Sequence, residues 1–276
     1  MPVAVVGHVE WIQFARVDRV PVAGEIVHAA ETWEEPGGGG SVAAVQLRKL
    51  AGQATFFTAL GEDELGRRAR EELTALGVRV EAGFRPTAQR RGFTFVDRAG
   101  ERTITVMGER MGPNGEDPLP WELLDGADAV YFTAGDDGAL RRARRARILV
   151  ATARVLPHLA RARIPVDALV GSGRDEAERY VPGDLDPPPG LAVWTTGASG
   201  GRYLTAEGSA GTFAAAPIPG PVVDAYGCGD SFAAGLAFGL GSSLPPVDAL
   251  ALAARCGAAC LTGRGPYQGQ LVLREG

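Results

Sequence analysis

Short apolar runs alternate with amphipathic stretches along this chain. Val3–Gly7, Ala54–Ala59, Ala129–Thr133, Ile164–Val170, Leu191–Thr195 and Tyr203–Thr205 read as strands. Runs of this length, bounded by turn residues, suit strands buried on both faces. Between and after them, Ser41–Leu50, Asp63–Leu76, Gly138–Val155, Asp175–Tyr180, Ser231–Gly239 and Pro246–Leu261 carry helical patterns. Strands alternating with helices predict an α/β fold with a mostly parallel sheet and right-handed crossovers.

Two segments break that rhythm. Residues around Ile12–Trp33 and Arg90–Val106 alternate apolar and polar positions, the period of antiparallel strands with one covered face. In the second, Gly92–Asp97 and Arg102–Val106 flank a turn at Arg98-Ala99-Gly100, a hairpin pattern. No internal repeat is visible, and Pro187-Pro188-Pro189-Gly190 reads as a rigid connection.

The 276 residues can bury a sizeable core, and a 45% hydrophobic, 22% charged composition is that of an ordinary globular protein. A net charge of −5 gives no reason to expect a nucleic-acid partner. No apolar run is long enough to span a membrane, and the start, Met1-Pro2-Val3-Ala4-Val5-Val6-Gly7, lacks the basic flank of a signal peptide. A cytoplasmic enzyme is expected. Lys49 is the only lysine, so no other lysine can serve as a catalytic group. The arginine run Arg141–Arg147 reads as a solvated helix face. Three cysteines without a CxxC spacing fit a reducing compartment. Cys256 and Cys260 share a face of an Ala-rich helix and read as core. Cys228 falls in a glycine turn at a helix start, where a thiol pKa is lowered; it reads as a tolerated small residue, with a thiol whose oxidation or alkylation would inhibit as the alternative.

That turn carries the most chemistry. In Val222-Val223-Asp224-Ala225-Tyr226-Gly227-Cys228-Gly229-Asp230-Ser231, two glycines open directly into a helix. Free N–H groups at a helix start, together with the positive end of its dipole, form an anion site. Asp230 sits at the same start. An amide cradle beside a carboxylate suits phosphoryl transfer: the amides hold developing phosphate charge and the carboxylate takes a hydroxyl proton.

The segment resembles the signature of the ribokinase-like (PfkB) carbohydrate kinases, usually Asp-Thr-x-Gly-Ala-Gly-Asp, with Ala225 and Cys228 as small-for-small departures. Three further stretches support the resemblance. Gly37-Gly38-Gly39-Gly40-Ser41 resembles the family's glycine motif leading into a helix, and Gly61-Glu62-Asp63-Glu64-Leu65-Gly66 its Gly-x-Asp-x-x-Gly stretch. Thr195-Thr196-Gly197-Ala198-Ser199-Gly200 resembles its nucleotide-contacting strand end.

The resemblance implies a three-layer α/β/α core with a mostly parallel sheet and a small β lid. It implies one kinase domain over 1–276, with lid segments at approximately 11–34 and 88–108, and a homodimer through the lid. Asp230 becomes the expected base, and the N–H groups of Gly227, Cys228 and Gly229 the expected phosphoryl cradle. Thr195, Gly197, Gly200, Gly263 and Gly265 are expected at ATP, and Asp224 braces the loop or a cation nearby. Gly38, Gly39, Gly40 and Glu10 are expected at a sugar-like acceptor. Mg²⁺ is expected with the ATP phosphates, Glu176 ordering it through water, and a monovalent cation such as K⁺ is a further candidate.

Two departures concern the acceptor. Val42 stands where the family carries a sugar-binding Asn, and Ile12 stands where its sugar-binding Asp falls. Glu10 or His8 would substitute in part, and Trp11 is placed either to stack on a ring or to pack the lid. The expected activity is ATP-dependent phosphorylation of a hydroxyl on a sugar-like molecule. A nucleoside kinase on the same scaffold and a non-catalytic nucleotide- or sugar-binding protein remain the alternatives.

Overall fold

The computed structural model describes residues 1–273. Thirteen strands form two sheets among those residues. The large sheet takes β1 (Val3–Val6), β4 (Thr55–Gly61), β5 (Arg79–Arg85), β8 (Ala129–Phe132), β9 (Ile148–Thr152), β10 (Ala168–Ser172), β11 (Leu191–Thr195), β12 (Gly201–Thr205) and β13 (Ala210–Phe213). Their order is β13-β12-β11-β10-β9-β8-β1-β4-β5, parallel from β11 to β5, with antiparallel β12 and β13 closing one edge.

Helices cover both faces. α1 (Gly39–Ala51), α2 (Glu64–Ala75), α5 (Cys228–Gly241) and α6 (Pro246–Cys260) pack on the face to which β1 sends Val3 and Val5. α3 (Asp137–Ala143), α4 (Leu156–Ala162) and Trp121 pack on the other, against Ala4 and Val6. The near-continuous apolar strands follow from this double cover. The result is the expected three-layer α/β/α core.

The small sheet is β2 (Glu10–Arg16), β3 (Glu31–Gly37), β6 (Arg91–Val96) and β7 (Arg102–Met107), in the order β3-β2-β6-β7. The hairpin pattern at Arg90–Val106 became β6 and β7. The sheet is not wholly antiparallel, because β2 and β6 run parallel in its middle. Ile12 points into this sheet, fully buried, and a Cβ on Gly92 would lie 2.6 Å from its Cδ1. Trp11 packs the sheet as well, donating from Nε1 to Glu34 Oε2 at 3.1 Å beneath the Arg68 guanidinium.

One long helix expected from the sequence is absent. Gly138–Val155 divides into α3, the buried strand β9 and the approach to α4. The arginine run straddles the end of α3, with Arg141 and Arg142 in its last turn. Arg144 turns back to Pro165 O, Ala146 O and Asp167 Oδ2, while Arg145 and Arg147 pair with Asp125 and Asp128. Ile164–Val170 forms a strand only from Ala168, and Asp175–Tyr180 winds only one short turn, Glu176–Glu178. Among the described residues no helix is long and apolar enough to cross a membrane.

Candidate active site

The sheet order reverses between β1 and β8, and in open α/β sheets ligands sit outside the carboxyl ends at such a point. Gly7 and His8 leave β1 there, and Thr133 leaves β8. A Cβ on Gly7 would lie 2.2 Å from Thr133 Oγ1, so only glycine lets the two ends meet. His8 Nδ1 is 3.4 Å from that hydroxyl. Two residues on, Glu10 opens β2 at 6% exposure.

The turn from β3 into α1 crosses over His8 and Glu10. A Cβ on Gly40 would stand 2.7 Å from His8 O, and one on Gly38 would stand 3.3 Å from Glu10 Cγ. One on Gly39 would stand 2.6 Å from Asp230 Oδ1. The three glycines therefore have different duties. Gly40 allows two backbones to touch. Gly38 has φ 87 and gives its N–H to Tyr226 Oη at 3.0 Å, so that amide is not available to a ligand as the sequence reading expected. Gly39 is the one that faces the Asp230 carboxylate, and its N–H has no acceptor among the described residues.

Asp230 lies in the first turn of α5, behind Gly227 at φ 82. A Cβ on Gly227 would also meet Val42 Cγ1 at 2.8 Å, so Val42 supports the loop from below. The first helical bond is Ser231 N–H to Gly227 O at 2.9 Å. The N–H groups of Gly227, Cys228, Gly229 and Asp230 have no acceptor among the described residues. They form an anion cradle at a helix N-terminus. A Cβ on Gly229 would meet no protein atom, which leaves room directly above the cradle. Burial, then the negative charge of Glu178, pushes the Asp230 carboxyl up to about 6.

Asp224, fully buried, holds the loop from behind. Its Oδ1 accepts Tyr226 N–H at 2.8 Å and its Oδ2 accepts Gly265 N–H at 3.0 Å. Gly265, at φ 63, thus belongs to a strut that continues through Arg264 to Glu31 of β3. Gly263 is in the same loop, and a Cβ there would stand 2.1 Å from Gly269 N. Cys260 Sγ lies 3.4 Å from Tyr226 O, beneath the loop. Its hydrogen bond with Cys228, together with burial, pushes the Cys228 thiol well above its ordinary range. That overturns the lowered value expected from the helix start alone.

Thr195, Gly197 and Gly200 share the carboxyl end of β11. Gly173 N–H donates to Thr195 O at 2.8 Å, Gly197 has φ 66, and Gly200 has φ 79 with Phe213 O 2.1 Å from a Cβ placed on it. Glu176 does not face this edge. Its side chain is 84% exposed and pairs with Arg179. Glu178, 18% exposed, turns inward, accepting Ser172 N–H at 2.7 Å and pairing with Arg154 at 2.7 Å. Aligning the family's Asn-x-x-Glu motif on Gly173–Glu176 selects Glu176, whereas a register two residues on, Asp175–Glu178, keeps the spacing with Asp in the Asn place and selects Glu178.

Among the described residues no group of three or more His, Cys, Asp or Glu side chains is placed to hold a metal ion. A Mg²⁺ that keeps its waters and rides on nucleotide phosphates needs only one or two protein carboxylates, and Glu178 fits that need.

Arginines complete the site. Arg90 Nε is 2.8 Å from Glu10 Oε1, and Arg154 pairs with Asp175 and Glu178. Burial first, then the charges of Arg110, Arg90 and Arg154, hold His8 well below its usual range, so it is neutral. Burial raises the Glu10 carboxyl while the same arginines oppose that rise. Arg90, Arg110 and Arg154 went unremarked in the sequence, because each belongs to a different element and only the fold gathers them.

An α/β/α fold, an anion cradle at a helix start and a carboxylate beside it define a phosphotransferase acting on an alcohol. The model of the pfkB family of carbohydrate kinases matches residues 2–166 and 174–271. The chain belongs to that family and is an ATP-dependent kinase of a sugar-like substrate. It is 31% identical over 257 residues to an ATP-dependent ribose-1-phosphate kinase of Halopiger xanaduensis, covering 83% of this chain and 81% of that one. The fold is similar to ribokinase from Thermotoga maritima (TM-score 0.78, 19% identity, 98% of this chain and 96% of that chain). It is also similar to Arabidopsis thaliana ribokinase complexed with ribose and ATP (TM-score 0.74, 18% identity, 98% and 96%).

Proposed function

We propose that Asp230 is the general base of this kinase, taking the proton of the acceptor hydroxyl as its oxygen attacks the γ-phosphorus of ATP. The observation that carries this reading is the carboxylate at the start of α5, against Gly39 and beside four free amides. Those amides, from Gly227 to Asp230, stabilise the transferring phosphoryl group. A carboxyl pushed up to about 6 remains ionised at neutral pH and is closer in pKa to its task than an ordinary aspartate. Mg²⁺, when bound, neutralises phosphate charge, and Glu178 is the carboxylate on its side. Thr195, Gly197 and Gly200 line the nucleotide edge. Asp224 is a brace for the cradle, since backbone amides already occupy both of its oxygens.

The acceptor is a furanose-like sugar, free or already phosphorylated; the names of the relatives include both kinds. Glu10 and His8 are the groups for its hydroxyls. The chain acts as one domain whose small sheet, within approximately 11–34 and 88–108, is the lid. Three free thiols suit the cytoplasm. Edge strand β7 exposes Ile104, Val106 and Met107, which supports a homodimer through the lid, and sedimentation of Val106→Arg as a monomer would bear this out.

The test is ADP release with Mg-ATP against sugars, sugar phosphates, polyols and nucleosides, wild type beside Asp230→Asn. The variant should lose at least about 10²-fold in turnover while still binding ATP. Near-normal turnover in the variant removes Asp230 from the role, and preference for a nucleoside replaces the acceptor assignment.

A further inference from the structure

Arg90, Arg110 and Arg154 reach the acceptor side of the site from three separate elements. Arg90 precedes β6, Arg110 follows β7, and Arg154 follows β9 at the carboxyl edge of the large sheet. The antiparallel register that pairs Arg91 with Met107 brings the chain near Arg110 alongside Arg90: a Cβ on Gly108 would lie 3.8 Å from Arg90 Cα.

The three are not equally satisfied. Arg154 is neutralised by Asp175 and Glu178. Arg90 is 13% exposed and touches Glu10, yet its buried Nε makes no aligned hydrogen bond. Arg110 makes no ion pair or side-chain hydrogen bond among the described residues. The residue is exposed, yet partial loss of hydration at the cleft, then the like charges of Arg90 and Arg154, hold its guanidinium below the usual arginine range, with Glu10 and Asp230 acting in the opposite sense. The exposed Arg110 keeps its hydrogen-bonding capacity free for a ligand, beside Arg90, whose buried Nε has no aligned acceptor.

Their place fits an acceptor's far end. Glu10, which carries Arg90, abuts Gly38, and Asp230 abuts Gly39. Neighbouring Cα atoms are about 3.8 Å apart. The guanidiniums therefore lie beside the proposed base, displaced from it on the lid side. A neutral sugar would leave Arg110 without a partner and the Arg90 Nε without an aligned acceptor. Two guanidiniums match the charge and the oxygen count of a phosphate monoester better than those of a single carboxylate.

We propose that Arg90 and Arg110 form a subsite for a phosphate already carried by the acceptor, so that this kinase phosphorylates a sugar phosphate in preference to the free sugar. The proposal rests on the kinase reading above and decides between its two acceptor classes. The hydroxyl oxygen at the end away from that phosphate forms the bond to the γ-phosphorus. The bond from that phosphorus to the ADP oxygen breaks, and the proton passes to Asp230. The products are a sugar bisphosphate and ADP. The acceptor's own phosphate is untouched, so the reaction that supplies this substrate is one that releases a sugar phosphate, such as phosphorolysis or an earlier kinase step.

The experiment compares D-ribose with its 1- and 5-phosphates as probes, by ADP release and by calorimetric binding without ATP. Wild type should prefer one of the phosphates over ribose by at least about 30-fold, the low-to-middle range for charge-assisted hydrogen bonds. Arg110→Gln should raise KM for that phosphate by about 10–100-fold. It should leave the KM for ATP within threefold and cost kcat/KM for that phosphate at least about tenfold more than kcat/KM for ribose, and Arg110→Lys should restore part of the loss. Arg110 has no ion pair to lose, so its removal spares the fold. Equal or better turnover of free ribose by wild type overturns the proposal, as does a uniform loss on both acceptors in Arg110→Gln. If the phosphate binds selectively, through Arg110, but no acceptor turns over, the subsite stands and the assignment of Asp230 fails instead.

Discussion

Gly39→Ala tests the site with a single methyl group. Gly39 is the first residue of α1 and its φ is not in the left-handed region, so alanine is compatible with the backbone. The three heavy atoms nearest to the added Cβ all belong to Asp230, the closest being Oδ1 at 2.6 Å. Ordinary contact begins near 3.4 Å, so the carboxylate must retreat by about 0.8 Å, the difference of the two distances. A short side chain can do this by rotating, and no backbone atom has to move. The fold should therefore hold, with Tm within about 2 °C of wild type. Catalysis should not hold, because misplacing a reacting group by about 1 Å costs on the order of 10²-fold. That is about 2.7 kcal/mol of barrier at about 1.36 kcal/mol per tenfold. The assay is kcat for ADP release at saturating acceptor, with Tm measured in parallel. A kcat within threefold of wild type would refute the placement of Asp230 as the base, since the methyl cannot be accommodated without moving that carboxylate. A collapse of Tm would refute the reading that only the Asp230 side chain has to yield.

Three further outcomes are expected. Because burial and Glu178 push the Asp230 carboxyl up to about 6, kcat/KM should fall below about pH 6 with unit slope. The folded pKa lies above the ordinary value of 3.8, so folding binds a proton there, and stability from this group is lost as pH rises from about 4 through 6. Asp230→Asn should accordingly gain more in Tm at pH 8 than at pH 4, and equal gains would count against the raised value. In α5, a Cβ on Gly235 would stand 2.7 Å from Cys256 Sγ and 2.9 Å from Ala253 Cα. Gly235→Ala should cost about 1–3 kcal/mol through overpacking and lower Tm by roughly 2–12 °C, read by thermal melting, whereas an unchanged Tm would mean that α5 and α6 are not in such close contact.

Most of the architecture is local and therefore legible. β1, β11, α1, α2, α5 and α6 announce themselves by apolar period and by capping residues such as Asp63, whose carboxylate accepts Gly66 N–H at 2.9 Å. The segment from Asp224 to Asp230 is equally local, because an anion cradle is a property of one turn and one helix start. What failed was local ambiguity. The run Ile148–Thr152 is as apolar as a buried helix, and only pairing with β8 and β10 makes it a strand. Glu176 and Glu178 are chemically alike, and whether the turn winds one residue further decides which faces Asp230.

The chain by itself thus determined the class of chemistry: glycines and an aspartate at one helix start suffice for a phosphoryl site. Only the tertiary structure decided what surrounds it. Gly39 meets Asp230 across 191 residues of sequence, Cys228 meets Cys260 across two helices, and Arg90, Arg110 and Arg154 converge from three elements. Electrostatic fields and steric contacts act through space, so the thiol that a helix start should acidify is instead raised by a neighbour. The same physics assembles the charge that selects the acceptor from residues that have no mutual spacing in the sequence.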